Sequence, residues 1–188
     1  MKYRLIIISF SLIAHIMAYC QINQGVLIGN RLAIYKTSED SCSNIIISRE
    51  NINNDTDTEL LVDSVSNAFY IAEIIGSSNN RFLVNIMSSD MDSQPFSMDS
   101  VWISKSNVGV GLTTTRINNE PKIPLYNKPS YSSSYSILPT DAAYNIVQVL
   151  ECDGKWLKIR FCNKGNETIG WIAPENQCIN MYSMCSGN

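Results

Sequence analysis

The chain has 188 residues, 45% of them hydrophobic and 16% charged, with a formal net charge of −3. That is enough apolar material for one or two packed domains. It is too little basic character for a nucleic-acid partner, because no Lys/Arg cluster forms a stripe that follows a phosphate backbone.

Residues 1–20 have the form of a targeting segment. Lys2 and Arg4 precede an apolar run over 5–17 that is too short for a comfortable membrane span. Cleavage after Cys20 leaves Ala18-Tyr19-Cys20 before the cut and Gln21 as the new N-terminus. The competing route is acylation of Cys20, which the bulky Tyr19 disfavours. The expected product is a signal-peptide-free chain with no integral membrane span, secreted to the periplasm or cell surface. It has no histidine, since His15 is the only one.

That loss removes the usual base beside a Ser or Cys nucleophile. Neither a G-x-S-x-G elbow nor an S-x-x-K motif occurs. Gly109-Val110-Gly111 lacks the third glycine and the helix of a dinucleotide loop. The paired carboxylates, Asp90 with Asp92 and Asp55 with Asp57 and Glu59, fall in polar stretches where they read as solvated side chains. Leu60 stands where a calcium loop of the EF-hand type needs glycine. No catalytic residue, metal or cofactor is expected.

From Gln21 onward the pattern is short strands between polar loops. Strand candidates occupy 26–28, 32–35, 45–47, 69–75, 82–86 and 101–103, with a turn signal over 76–80. Residues 113–122 are polar, contain Pro121 and read as a short linker. In the last third, two runs rich in Val, Ile, Leu and aromatics flank Asp153-Gly154, a two-residue signal for a type I′ hairpin. The register that follows sets Glu151 opposite Trp156 and Leu150 opposite Leu157. It puts Ile146, Leu150, Leu157, Ile159 and Phe161 on one core face.

Cys20 aside, five cysteines remain: Cys42, Cys152, Cys162, Cys178 and Cys185. In a secreted chain a Cys178–Cys185 disulfide would pin the C-terminal tail. The hairpin register keeps Cys152 and Cys162 too far apart to bond. With no C-x2-C pair and no mature histidine, a zinc site is not expected.

Val147, Val149, Leu150, Glu151, Asp153, Gly154, Trp156, Lys158 and Ile159, followed by Gly170-Trp171-Ile172, resemble a bacterial SH3-like (SH3b) domain. Leu125-Tyr126 and Pro129-Ser130 resemble that family's opening motif. The resemblance implies a small β-barrel that binds peptides or glycan-peptides on an aromatic surface between loops. The aromatic residues that crowd this part of the chain, Trp156, Tyr126, Tyr131, Tyr135 and Trp171, are the candidates for that surface. The first part of the chain can be laid on the second: Tyr35 over Tyr126, residues 69–86 over 144–161 without a gap, and Trp102 over Trp171. Ile71, Ile75, Phe82, Val84 and Ile86 then fall on the five proposed core positions. Arg81 replaces Trp156 and Val101 replaces Gly170, so the first copy is divergent.

The expected architecture is all-β: two tandem SH3-like barrels, at 21–112 and 123–188, joined by the linker. The expected function is a non-catalytic module that binds cell-wall peptide (peptidoglycan) or another envelope protein. The alternative is a structural or inhibitory partner of a secreted enzyme or toxin.

Overall fold

The computed structural model describes residues 23–28, 31–35, 37–38, 44–47, 70–88 and 97–178, with 44–47 described by strand pairing alone. The leader, Cys42, both carboxylate sets and Cys185 lie outside these residues. The strands are β1 (Asn23–Leu27), β2 (Arg31–Tyr35), β3 (Asn44–Ile47), β4 (Tyr70–Ser77), β5 (Arg81–Ser88), β6 (Ser97–Ser104) and β7 (Val108–Leu112). They continue as β8 (Thr115–Ile117), β9 (Glu120–Tyr126), β10 (Tyr135–Leu138), β11 (Ile146–Asp153), β12 (Trp156–Asn163), β13 (Asn166–Ile172) and β14 (Gln177–Cys178). Three short 3₁₀ turns are the only helical pieces among the described residues, and none is long and apolar enough to cross a membrane.

The chain is all-β, and the fourteen strands of the described residues form one antiparallel sheet in the order β10-β9-β13-β12-β11-β7-β1-β4-β5-β6-β2-β3. β14 pairs with β7, and β8 with β9. Short strands rich in Val, Ile and Leu bury one face each, and the buried side chains of both halves join in a single cluster.

The ladders on the two sides of β7 have the same form. β2 meets β6 through Tyr35 opposite Trp102, and β9 meets β13 through Tyr126 opposite Trp171. β4–β5 slips register between Ile74 and Gly76, and β11–β12 slips between Val149 and Glu151. β7 takes part in both sets. Val108 and Gly109 pair with β1, as Gln177 and Cys178 of β14 pair with Leu112 and Gly111 of β7. The strand thus ends one half and opens the other.

Two asparagines lock this arrangement. Asn107, at the end of the 3₁₀ turn Lys105–Asn107, donates from Nδ2 to the Ile28 carbonyl at 3.0 Å, and its own carbonyl accepts from the Ile28 amide at 3.0 Å. Asn176, at the end of the 3₁₀ turn Pro174–Asn176, makes the same pair of 3.0 Å bonds with Thr113. An amide side chain suits the post because it closes a ring with one backbone unit just past the strand.

The hairpin at Asp153-Gly154 forms, but its register differs from the expected one. Asp153 faces Trp156, so Gly154-Lys155 is the loop; Cys152 faces Leu157 and Glu151 faces Lys158. Gly154 has φ +56°, and Lys155 is not among the residues with positive φ. That is the signature of a type II′ turn, which takes Gly at the first central position, rather than type I′. The changed loop moves the pairing by two residues and keeps the face, but the one-residue bulge between Val149 and Glu151 turns the first part of β11 over. Val147 and Val149 enter the core cluster, Leu150 is only half-buried, and Ile146 is buried but outside the cluster. The same correction applies to β4, where Ala72 and Ile74 are buried and Ile75 is 38% exposed. Leu157, Ile159, Phe161, Phe82, Val84 and Ile86 are core residues as expected.

Type I′ loops occur elsewhere. Asn118-Asn119, with φ 53° and 65°, joins β8 to β9 inside the stretch read as a linker, and Lys164-Gly165, with φ 48° and 81°, joins β12 to β13. Cys178 is disulfide-bonded, while Cys152 and Cys162 keep their thiols. The proposed partner of Cys178, Cys185, is outside the described residues.

Candidate functional site

The end of β9 builds the site. Tyr126 pairs across the backbone with Tyr135 of β10 on one side and with Trp171 of β13 on the other, so these three side chains leave the same face of the sheet. β13 approaches β9 closely at Gly170, where a Cβ would lie 2.6 Å from Leu125 Cγ and 3.0 Å from the Tyr126 carbonyl oxygen. Gly170 therefore has a steric reason here: it lets β9 seat against β13 and fixes Tyr126.

Between β9 and β10 the serine-rich loop is tied to itself. The Asn127 amide donates to the Ser134 carbonyl at 3.0 Å, and the Ser133 amide to the Ser130 carbonyl at 3.0 Å. Asn127 Nδ2 donates to Ser134 Oγ at 2.8 Å, and the Lys128 amide to Ser133 Oγ at 3.1 Å. Short hydroxyl side chains make such local bonds readily, which gives the loop a defined shape. That shape carries Tyr131 back over the sheet.

Four rings meet there. Tyr126 lies 5.1 Å from Trp156 in an edge-on contact, 5.2 Å from Tyr135 and 6.2 Å from Tyr131, between ring centroids. Tyr131 closes the set at 4.8 Å from Trp156. Edge-on and tilted contacts at these distances are favourable, each worth about 0.5–1.5 kcal/mol beyond burial. Tyr126 is the floor of the cluster and is 7% exposed, while Tyr131 is 61% and Tyr135 47% exposed. The result is a surface of ring edges and faces that is already assembled.

Trp171 is the fifth of the expected site residues. It sits opposite both Tyr126 and Lys158, and its ring meets the Lys158 ammonium at 5.8 Å. It flanks the four-ring cluster. Lys158 also pairs with Glu151 at 3.1 Å, so this row of the sheet runs from a charged pair into the aromatic patch.

Glu175 is the site residue that sequence reading missed. It lies in the turn Pro174–Asn176, and its Oε2 accepts a 2.8 Å hydrogen bond from the Tyr131 hydroxyl. Burial, then that hydrogen bond and the Glu175 charge, push the Tyr131 pKa up to about 12. With the residue so largely exposed, the Glu175 contribution is the one a mutation isolates. Tyr126 is also raised, by burial first and by Glu175 and Tyr135 after it. The only sequence hint is a proline one residue earlier, two positions after Gly170-Trp171-Ile172.

The first half has the same frame with a different occupant. Arg81 stands where Trp156 stands, and its guanidinium carbon lies 3.6 Å from the centroid of the Tyr35 ring. Arg81 Nη1 also donates to the Thr37 carbonyl at 3.1 Å. A cation–π contact replaces the aromatic pair, and the surface seen at Trp156 is missing from this half. Next to it, the Lys105 ammonium lies 4.9 Å from the Phe82 ring. Burial lowers the pKa of Lys105, while Glu151 and Cys152 act to raise it.

Nothing in this geometry is arranged as a metal centre: among the described residues no three His, Cys, Asp or Glu side chains are placed to share an ion. No family model, curated protein or solved structure matches the chain.

Proposed function

We propose that the protein is a secreted, non-catalytic binding module built from two SH3-like units, the first divergent. Its second unit recognises cell-wall peptide or an envelope protein on a loop-lined aromatic groove. The observation that carries this reading is the four-ring cluster of Tyr126, Tyr131, Tyr135 and Trp156, with two tyrosines substantially exposed. Exposed rings that are held by one another and by a hydrogen-bonded loop lose little freedom on binding, so contact area converts efficiently into affinity. A non-catalytic role fits a mature chain without histidine.

The two-unit reading draws its support from the matched ladders about β7 and from the twin latches at Asn107 and Asn176. Secretion rests on the form of residues 1–20. Co-sedimentation with purified peptidoglycan tests the function: the protein should pellet with the polymer, and retention no better than a control protein of equal charge would count against cell-wall binding.

A further inference from the structure

Among the described residues, the acidic rim of the aromatic cluster has no basic partner. Glu175 is exposed, its Oε2 accepts from Tyr131, and Oε1 accepts no hydrogen bond from the described residues. The three ion pairs among the described residues lie elsewhere, at Glu120–Lys122, Glu151–Lys158 and Glu167–Arg160. Two lysines belong to neighbouring segments: Lys128 in the β9–β10 loop, and Lys155, whose carbonyl accepts from Gln177 Nε2 at 2.8 Å. Neither is within ion-pair distance of Glu175. A carboxylate held on the Tyr131 hydroxyl, at the rim of a cluster in which the Tyr131 ring lies 4.8 Å from that of Trp156, offers a cation a charge partner next to a π-surface.

The first half shows the same preference within the chain. The ring of Tyr35, matched to Tyr126, already carries a guanidinium at 3.6 Å. Arg81 takes the place of Trp156 there, so it shows what the ring accepts rather than where a ligand sits.

The open edge adds a second element. Among the described residues β10 ends the sheet, bound by β9 alone, and it presents Tyr135 and Ile137, 47% and 43% exposed. A chain laid along this edge finds backbone groups to pair with and apolar side chains to rest on.

We infer that the ligand of the aromatic groove is a peptide with a basic side chain, whose ammonium or guanidinium group sits between Glu175 and the rings of Tyr131 and Trp156. The inference rests on the groove reading above and narrows it to a ligand class. Glu175 supplies the charge selection, and Trp156 and Tyr131 supply the contact surface.

The test is an NMR titration of the labelled protein, following the Trp156 indole signal. The probes are short alanine peptides blocked at both ends, with a central lysine, Nε-acetyl-lysine or glutamate. The lysine peptide should shift the Trp156 signal and bind roughly fivefold tighter than the other two, as expected for one exposed cation contact. Glu175→Gln keeps an acceptor for the Tyr131 hydroxyl and should erase that difference. Equal binding of all three peptides at Trp156 would overturn the cation requirement and leave the groove standing, as would a preference for glutamate. Lysine binding that leaves Trp156 silent and survives Glu175→Gln would overturn both the inference and the groove. No response to any peptide also overturns the inference, with peptidoglycan co-sedimentation then judging the groove by itself.

Discussion

Replacing Gly109 by alanine probes the strand that both halves share. A Cβ at that position would lie 2.7 Å from Ile146 Cγ2, 2.8 Å from Ile28 Cγ2 and 3.3 Å from the Val147 carbonyl oxygen. The two carbon contacts fall about 0.7–0.8 Å short of ordinary van der Waals separation. Neither Cγ2 swings aside freely, because each is attached directly to a branched Cβ held in the sheet. Overpacking of this kind costs about 1–3 kcal/mol, and Gly→Ala returns about 0.5–1 kcal/mol by restricting the unfolded chain. With both carbon contacts under 3 Å the overpacking lies near the top of that range, so the net expectation is a loss of about 2 kcal/mol, or a melting temperature lower by about 4–8 °C for a chain of this size. Urea unfolding under non-reducing conditions, followed by far-UV circular dichroism, measures it. The loss should come as one displaced transition, since Ile28 and Ile146 sit on opposite sides of β7. Gly154→Ala is the control: its φ is +56° with nothing within 4 Å, so its cost, about 1 kcal/mol, is conformational alone. An unchanged midpoint for Gly109→Ala, or two separate transitions of which one alone moves, would refute the shared-strand reasoning.

Alkaline titration of the tyrosine absorbance should show Tyr131 ionising near 12, and Glu175→Gln should bring it down toward the ordinary value. The sign for stability follows: the unfolded chain gives up this proton first, so the contribution is complete below about pH 10 and is lost as pH climbs through 10 to 12. Asn107→Ala and Asn176→Ala should both destabilise, by about 1–3 kcal/mol, because each leaves a strand-end carbonyl without its donor. The Asn176 variant should lose more, since that residue is fully buried and Asn107 is not; equal melting of wild type and both variants would remove the latch role. Glu151→Gln should change stability by less than about 0.5 kcal/mol, because its pair with Lys158 is exposed. A larger loss would mean the row beside Trp171 is more than a solvated ion pair.

Much of this fold was legible because apolar residues alternate strongly in β5 and β12. Phe82, Val84 and Ile86, like Leu157, Ile159 and Phe161, needed only their period of two. β4 and β11 defeated the same logic. Their apolar residues occupy both faces, so the side facing inward depends on the pairing. The turn used Gly154-Lys155 where Asp153-Gly154 looked sufficient, a two-residue shift that keeps the face. The one-residue bulges near Ile75 and Leu150 turned the faces over, and a bulge has no fixed residue signature. The role of β7 was hidden in Val-Gly-Val-Gly-Leu, a run too short and too small to announce a strand that serves two halves. For the site, aromatic residues were conspicuous by type and marked four members that do meet. Glu175, Asn107 and Asn176 were not: single polar residues near turns look like any others until the backbone brings their partners close.

The most direct measurement is binding by Trp156→Arg. This substitution installs in the second half what Arg81 does over Tyr35 in the first, so the fold should survive with melting close to wild type. Binding to peptidoglycan should fall to the level of an equal-charge control. A folded Trp156→Arg protein that still binds like wild type would show that the aromatic cluster is not where the ligand is held.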